Sequence, residues 1–170
     1  ELVLSAFTLA EAAASVKALS TNSSFGCVSI PERHTKKGNE NVNMIRKVGL
    51  GCGWFITQGI YASAPIIKLL NEYGDDCRAQ GIVPKKVVLT FAPCGRPKTL
   101  HFIKWLGMDV PQDVQDRILG AKEPVAESVE LLCELLMRIL QVCLAVENVA
   151  FTPSRQGNAN LLSTFPPCIL

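Results

Sequence analysis

Glu32 and His34 stand close together behind Pro31, where an apolar run over residues 25–30 ends. With Arg33 between them, the segment carries an acid, a base and an imidazole at once. Asn43, Arg46 and Lys47 follow at i, i+3 and i+4, so one helix face presents an amide and two cations together. Such a face can hold a pyrophosphate through charge-assisted hydrogen bonds, Arg as a fork and Lys as a point charge. An isolated Arg-Lys pair is more often simply solvated. Gln58 closes a second apolar run, Trp54-Phe55-Ile56-Thr57. Polar groups at the carboxyl ends of successive parallel strands are how α/β proteins build ligand sites.

The elements that must position these residues follow from the apolar pattern. Short apolar runs bounded by turn residues predict strands over 25–30, 53–57, 86–92 and 148–152. Helical spacing is expected over 2–19, 39–48, 63–80, 97–106, 111–119 and 123–143, with residues 31–38 left as a loop. Alternation of strands and helices predicts parallel strands joined by right-handed crossovers. A Rossmann fold is disfavoured. No G-x-G-x-x-G opens a helix after a strand, and Gly49, Gly51 and Gly53 precede one.

Length and composition set the outer bounds. The 170 residues suffice for one domain with a sizeable core, and 48% hydrophobic against 19% charged residues describes a globular chain. A net charge of +2 gives no reason to expect nucleic acid or an anionic membrane as partner. The basic run Arg33 to Lys37 reads equally as a solvated loop or an anion site. Seven scattered cysteines without a Cys-x-x-Cys argue for a reducing compartment, cytoplasmic or an organelle matrix, and against zinc or a disulfide framework. No apolar run reaches the length of a membrane span. The chain opens on Glu1 with a helical pattern, as a processed, truncated or partly represented protein would.

The ordered set Pro31-Glu32-Arg33-His34, Asn43, Arg46-Lys47, the glycine turn and Ile56-Thr57-Gln58 resembles the methylenetetrahydrofolate reductase family, which are flavoprotein barrels. The similarity continues through Cys77 to Ile82, the third strand and the late strand before Arg155. The resemblance implies that residues 1–170 are the second half of a (β/α)₈ barrel: an α/β unit of four parallel strands with helices, incomplete in this chain. A whole barrel needs about 250 residues. It places His34 against FAD, Glu40 near the ribose or adenine, and Asn43, Arg46 and Lys47 on the cofactor phosphates. Gln58 and Arg155 would hold the folate substrate. Otherwise His34 is a loop histidine, Gln58 a helix cap and Arg155 a tail residue.

The implied reaction uses NAD(P)H to reduce FAD, which then reduces 5,10-methylenetetrahydrofolate to 5-methyltetrahydrofolate. The family's catalytic acid and flavin-edge aspartate belong to the first half, so no catalytic residue is expected in this chain. Ile30, Ile103 or Phe102, and Thr90-Phe91 depart from the family pattern, and His101 reads as structural. The rival reading is a catalytically inactive, reductase-like structural or regulatory subunit of a larger assembly. Either reading expects a complementing half-barrel or chain as partner, since open sheet edges are not normally left bare.

Overall fold

A computed structural model of the protein describes residues 8–19 and 25–145. In chain order the elements are α1 (Leu9–Leu19), β1 (Gly26–Ser29), α2 (Pro31–Lys37), α3 (Glu40–Gly49) and β2 (Trp54–Gly59). There follow α4 (Ser63–Ala79), β3 (Lys86–Thr90), α5 (Pro97–Trp105), α6 (Gln112–Gly120) and α7 (Pro124–Ala145). The strands form one parallel sheet in the order β1-β2-β3, with Cys27 opposite Phe55 and Phe55 opposite Val87.

This corrects the expected half-barrel of four strands: the sheet has three among the described residues. Past β3 the chain runs into three consecutive helices, and α7 extends without a break to Ala145. Its apolar residues recur at helical spacing, as at Leu131, Leu132, Leu135 and Ile139, which gives α7 a buried stripe and no strand. The strand expected over 148–152 lies outside the described residues.

The segment 31–38, expected as a loop, is helix α2. Pro31 opens it, where its fixed φ suits a helix and its missing N–H costs nothing. Gly38 closes it at φ 65°, donating its N–H to the His34 carbonyl at 2.7 Å.

One face of the sheet is core. Cys27, Phe55 and Val87 pack under Met44 of α3 and Leu69, Tyr73 and Cys77 of α4. Ile60, Ile66, Leu70 and Ile139 continue that core to α7, while Leu100, Ile103, Ile118 and Leu132 form a second cluster among α5, α6 and α7. The opposite face carries Val28, Trp54, Ile56 and Val88 partly open to solvent. There the Trp54 indole lies across Gly26, so close that any Cβ at that position would strike the ring.

Among the described residues β1 lies at an edge, yet two of its outward groups are paired. Phe25 C=O accepts from Gly53 N–H on the β2 side, so Val28 and Ile30 face outward. Val28 C=O accepts from Lys47 Nζ at 2.6 Å, and Ile30 N–H donates to Glu40 Oε1 at 3.3 Å. Side chains of α3 thus take the place of a neighbouring strand at the carboxyl end of β1.

Candidate functional site

The parallel sheet brings the carboxyl ends of β1 and β2 to one side, and α2 starts there. Ile30 and Gln58 close the strand ends of a cleft of about 280 Å³. α2 contributes Glu32, Arg33, Lys36 and Lys37, and Leu106 and Gly107 of the turn after α5 form the far wall. The volume is near the lower limit of roughly 300–1,000 Å³ for small-molecule pockets, room for one bicyclic ring system with the remainder of a ligand outside.

Gln58 reaches this cleft through a bulge. Ile56 pairs with Val88 but Gly59 with Thr90, so β2 spends one residue more than β3 over that stretch. Thr57 Oγ1 fills the gap by accepting the Thr90 N–H at 3.0 Å. Bulges re-aim side chains beside functional sites.

Glu32 is the unusual member of the set. The residue is only 8% exposed and its Oε2 is buried with no hydrogen-bond partner. Burial pushes its carboxyl above the ordinary range; its own backbone N–H opposes this, Asp109 adds to it and Lys36 subtracts. Lys36 and Lys37 are exposed, while Arg33 lies 3.6 Å from Glu40. The cleft therefore combines an amide, a recessed carboxylate, three cations and an apolar wall.

The residues expected to hold FAD are arranged otherwise. Glu40 is 0% exposed. It receives Ile30 N–H, Asn43 Nδ2 at 3.4 Å and Lys47 Nζ at 3.3 Å. Lys47 is spent on Glu40 and the Val28 carbonyl, leaving Arg46 exposed on the outside of α3. His34 is buried between α2 and α4, its Nε2 3.0 Å from Glu72 Oε2. That is ion-pair distance without hydrogen-bond alignment, and neither ring nitrogen has a hydrogen-bond partner. A pyrophosphate would have to draw Lys47 away from both of its acceptors. As placed, Asn43 and Lys47 are engaged by Glu40, and Arg46 is exposed.

Other expectations resolve individually. Ile103 is core, whereas Phe102 is exposed and stacks on Trp105 with centroids 5.8 Å apart. His101, expected to be structural, is exposed on α5. Arg155 lies outside the described residues. Leu106 and Gly107 carry no signal in the sequence, whereas Lys36 and Lys37 belong to the basic run weighed there as a solvated loop or an anion site, which becomes directional only once that segment is helix α2.

A second depression of about 500 Å³ separates α4 from α7 and is lined by Lys68, Asn71, Glu72 and Arg138 among others. Among the described residues no group of three His, Cys, Asp or Glu could hold a metal ion, and the cysteines at 27, 52, 77, 94 and 133 are free. No helix among them is long and apolar enough to cross a membrane.

No protein-family model and no curated protein matches the chain. A solved structure does: an uncharacterized protein from Clostridium thermocellum that binds two copies of 5-methyl-5,6,7,8-tetrahydrofolic acid. The two are 29% identical with a TM-score of 0.75, over 82% of this chain and 49% of that one. The chain thus spans about half the length of this structural neighbour.

Proposed function

We propose that this protein binds a reduced folate, with the pterin head in the cleft at the carboxyl ends of β1 and β2. The observation that carries the reading is the make-up of that cleft. The Gln58 amide offers both a donor and an acceptor to a heterocycle edge, and Ile30 and Leu106 offer apolar contact to its faces. Lys36 and Lys37 stand on the rim, where the carboxylates of a glutamate tail would extend from a head too large to be enclosed with its tail. The Clostridium thermocellum protein, which binds 5-methyltetrahydrofolate, supports the ligand class.

The proposal is binding, without a hydride step. The flavin reduction implied by the family resemblance would need a dinucleotide cradle, and Asn43 and Lys47 are committed to Glu40. The test is equilibrium binding of 5-methyltetrahydrofolate to the purified chain. Gln58→Leu weakens it roughly tenfold or more, the worth of one buried hydrogen bond lost beside an unpaired ligand group. Arg46→Ala leaves it unchanged. A wild type whose Kd is weaker than about 1 mM overturns the reading.

A further inference from the structure

We propose that Glu32 is the specificity-determining residue of the cleft, reading the paired donors of the pterin's 2-amino-pyrimidinone edge through its two carboxylate oxygens. This rests on the folate reading above and adds to it a residue and an atom-level recognition.

Three observations meet at this side chain. Glu32 lines the cleft, more than nine-tenths of the residue is buried, and Oε2 is closed to solvent with no hydrogen-bond partner within the chain, so a turn of the side chain brings it to a ligand. A buried carboxylate oxygen without a donor is costly, and native chains leave few of them. The helix start explains the acid only in part: the Glu32 carboxyl meets its own backbone N–H in the first turn of α2, and Oε2 is still left without a donor. Nor is Glu32 one arm of an ion pair: the carboxylate that gathers nearby cations is Glu40, which has Arg33 at 3.6 Å and Lys47 at 3.3 Å.

The ligand chemistry that satisfies such a group has two N–H donors side by side on a planar ring, because an ionised carboxylate accepts bidentately and donates nothing. The 2-amino group and N3–H of a pterin form that pair. The rest of the folate cannot supply it, since its tail ends in carboxylates that Glu32 repels and that Lys36 and Lys37 attract. The cleft thus has polarity: acid at the recessed end for the head, cations at the rim for the tail.

The experiment compares two ligands on two proteins. 5-Methyltetrahydrofolate carries the donor edge, and p-aminobenzoyl-L-glutamate is the same tail without the pterin. Glu32→Gln removes one acceptor and sets an N–H₂ against a ligand donor, so affinity for 5-methyltetrahydrofolate falls roughly 10- to 100-fold. Affinity for p-aminobenzoyl-L-glutamate stays within about twofold, since that ligand never meets residue 32. A merely structural role for Glu32 weakens both ligands alike, and that result overturns the inference, as does equal binding of 5-methyltetrahydrofolate by both proteins. Should Glu32→Gln fail to fold, the wild type alone decides, using a 2-desamino-2-methyl folate analogue. It must bind roughly 10- to 100-fold more weakly than the 2-amino compound, and equal affinity overturns the inference. A wild type that binds neither folate compound instead removes the folate reading beneath it, so the two failures are distinguishable.

Discussion

Replacing Glu40 with alanine tests whether the Asn43-Arg46-Lys47 helix face serves the fold. Glu40 is fully buried and holds three donors, Ile30 N–H, Asn43 Nδ2 and Lys47 Nζ, at 3.3–3.4 Å. Those are long contacts, so each is worth less than an ideal charge-assisted bond. Arg33 at 3.6 Å is more than a third exposed and adds little. Truncation leaves the Ile30 N–H unpaired at the strand edge, worth about 1 kcal/mol. It also leaves the Lys47 ammonium mostly buried with only the Val28 carbonyl, worth about 1–2 kcal/mol. The sum is about 2–3 kcal/mol, or a fall in Tm of roughly 4–12 °C.

Thermal unfolding followed by far-ultraviolet circular dichroism measures it. Arg46→Ala, on the exposed side of the same helix, should stay within about 0.5 kcal/mol of wild type. Joining Glu40→Leu to Lys47→Met should cost less than the sum of the two single changes, by roughly 1–3 kcal/mol, because an apolar pair leaves no buried charge. A Glu40→Ala protein as stable as wild type, or an Arg46→Ala protein destabilised as much, refutes the reasoning.

Two further outcomes are expected. Glu32→Gln should stabilise the ligand-free protein near neutral pH by about 1 kcal/mol, because the amide brings no charge into the buried position. Because burial raises the Glu32 carboxyl above its ordinary 4.5, folding loses stability as pH rises from that value. The gain from glutamine should therefore vanish in thermal unfolding below about pH 4.5, and a variant less stable than wild type at neutral pH would contradict the account. Arg117 donates to Glu134 at 2.7 and 2.8 Å and to Glu127 at 2.5 Å, and its hydrogen bond holds the Glu134 carboxyl below the usual 4.5. That contribution is present above 4.5 and lost as pH falls through the lowered value. Glu134→Gln should cost about 0.5–1 kcal/mol at neutral pH and low salt and nothing measurable in strong acid or about 1 M salt. A pH-independent cost would count against the ion pair.

What the sequence disclosed, and what it withheld, follows from which interactions are local. The three strands and the helices after β2 were legible because their apolar spacing is written within each segment, as in Trp54-Phe55-Ile56-Thr57. α2 was not, because Glu-Arg-His-Thr-Lys-Lys has no apolar stripe, and only Pro31 and Gly38 mark its ends. Apolar runs and the family pattern led to four strands where the described residues form three, and the fourth run, over 148–152, lies outside them. The spacing of Asn43, Arg46 and Lys47 shows that they share a helix face. It does not say whether that face meets a ligand or the edge of β1, which depends on where Glu40 is buried. Gln58 at a strand end was visible, whereas the bulge that turns it required the register against β3. The recess around Glu32 is made by residues distant in sequence, Gln58 and the Leu106-Gly107 turn, and no local signal announces it.

The most direct test of the central claim is backbone amide hydrogen exchange with and without saturating 5-methyltetrahydrofolate. The account predicts slowed exchange at the start of α2 around residues 32–37, at Gln58 and Gly59, and at the Leu106-Gly107 turn, the three walls of one cleft. Exchange in the groove lined by Lys68, Asn71 and Arg138 should not change. Protection confined to that groove, or no protection at all, would contradict it.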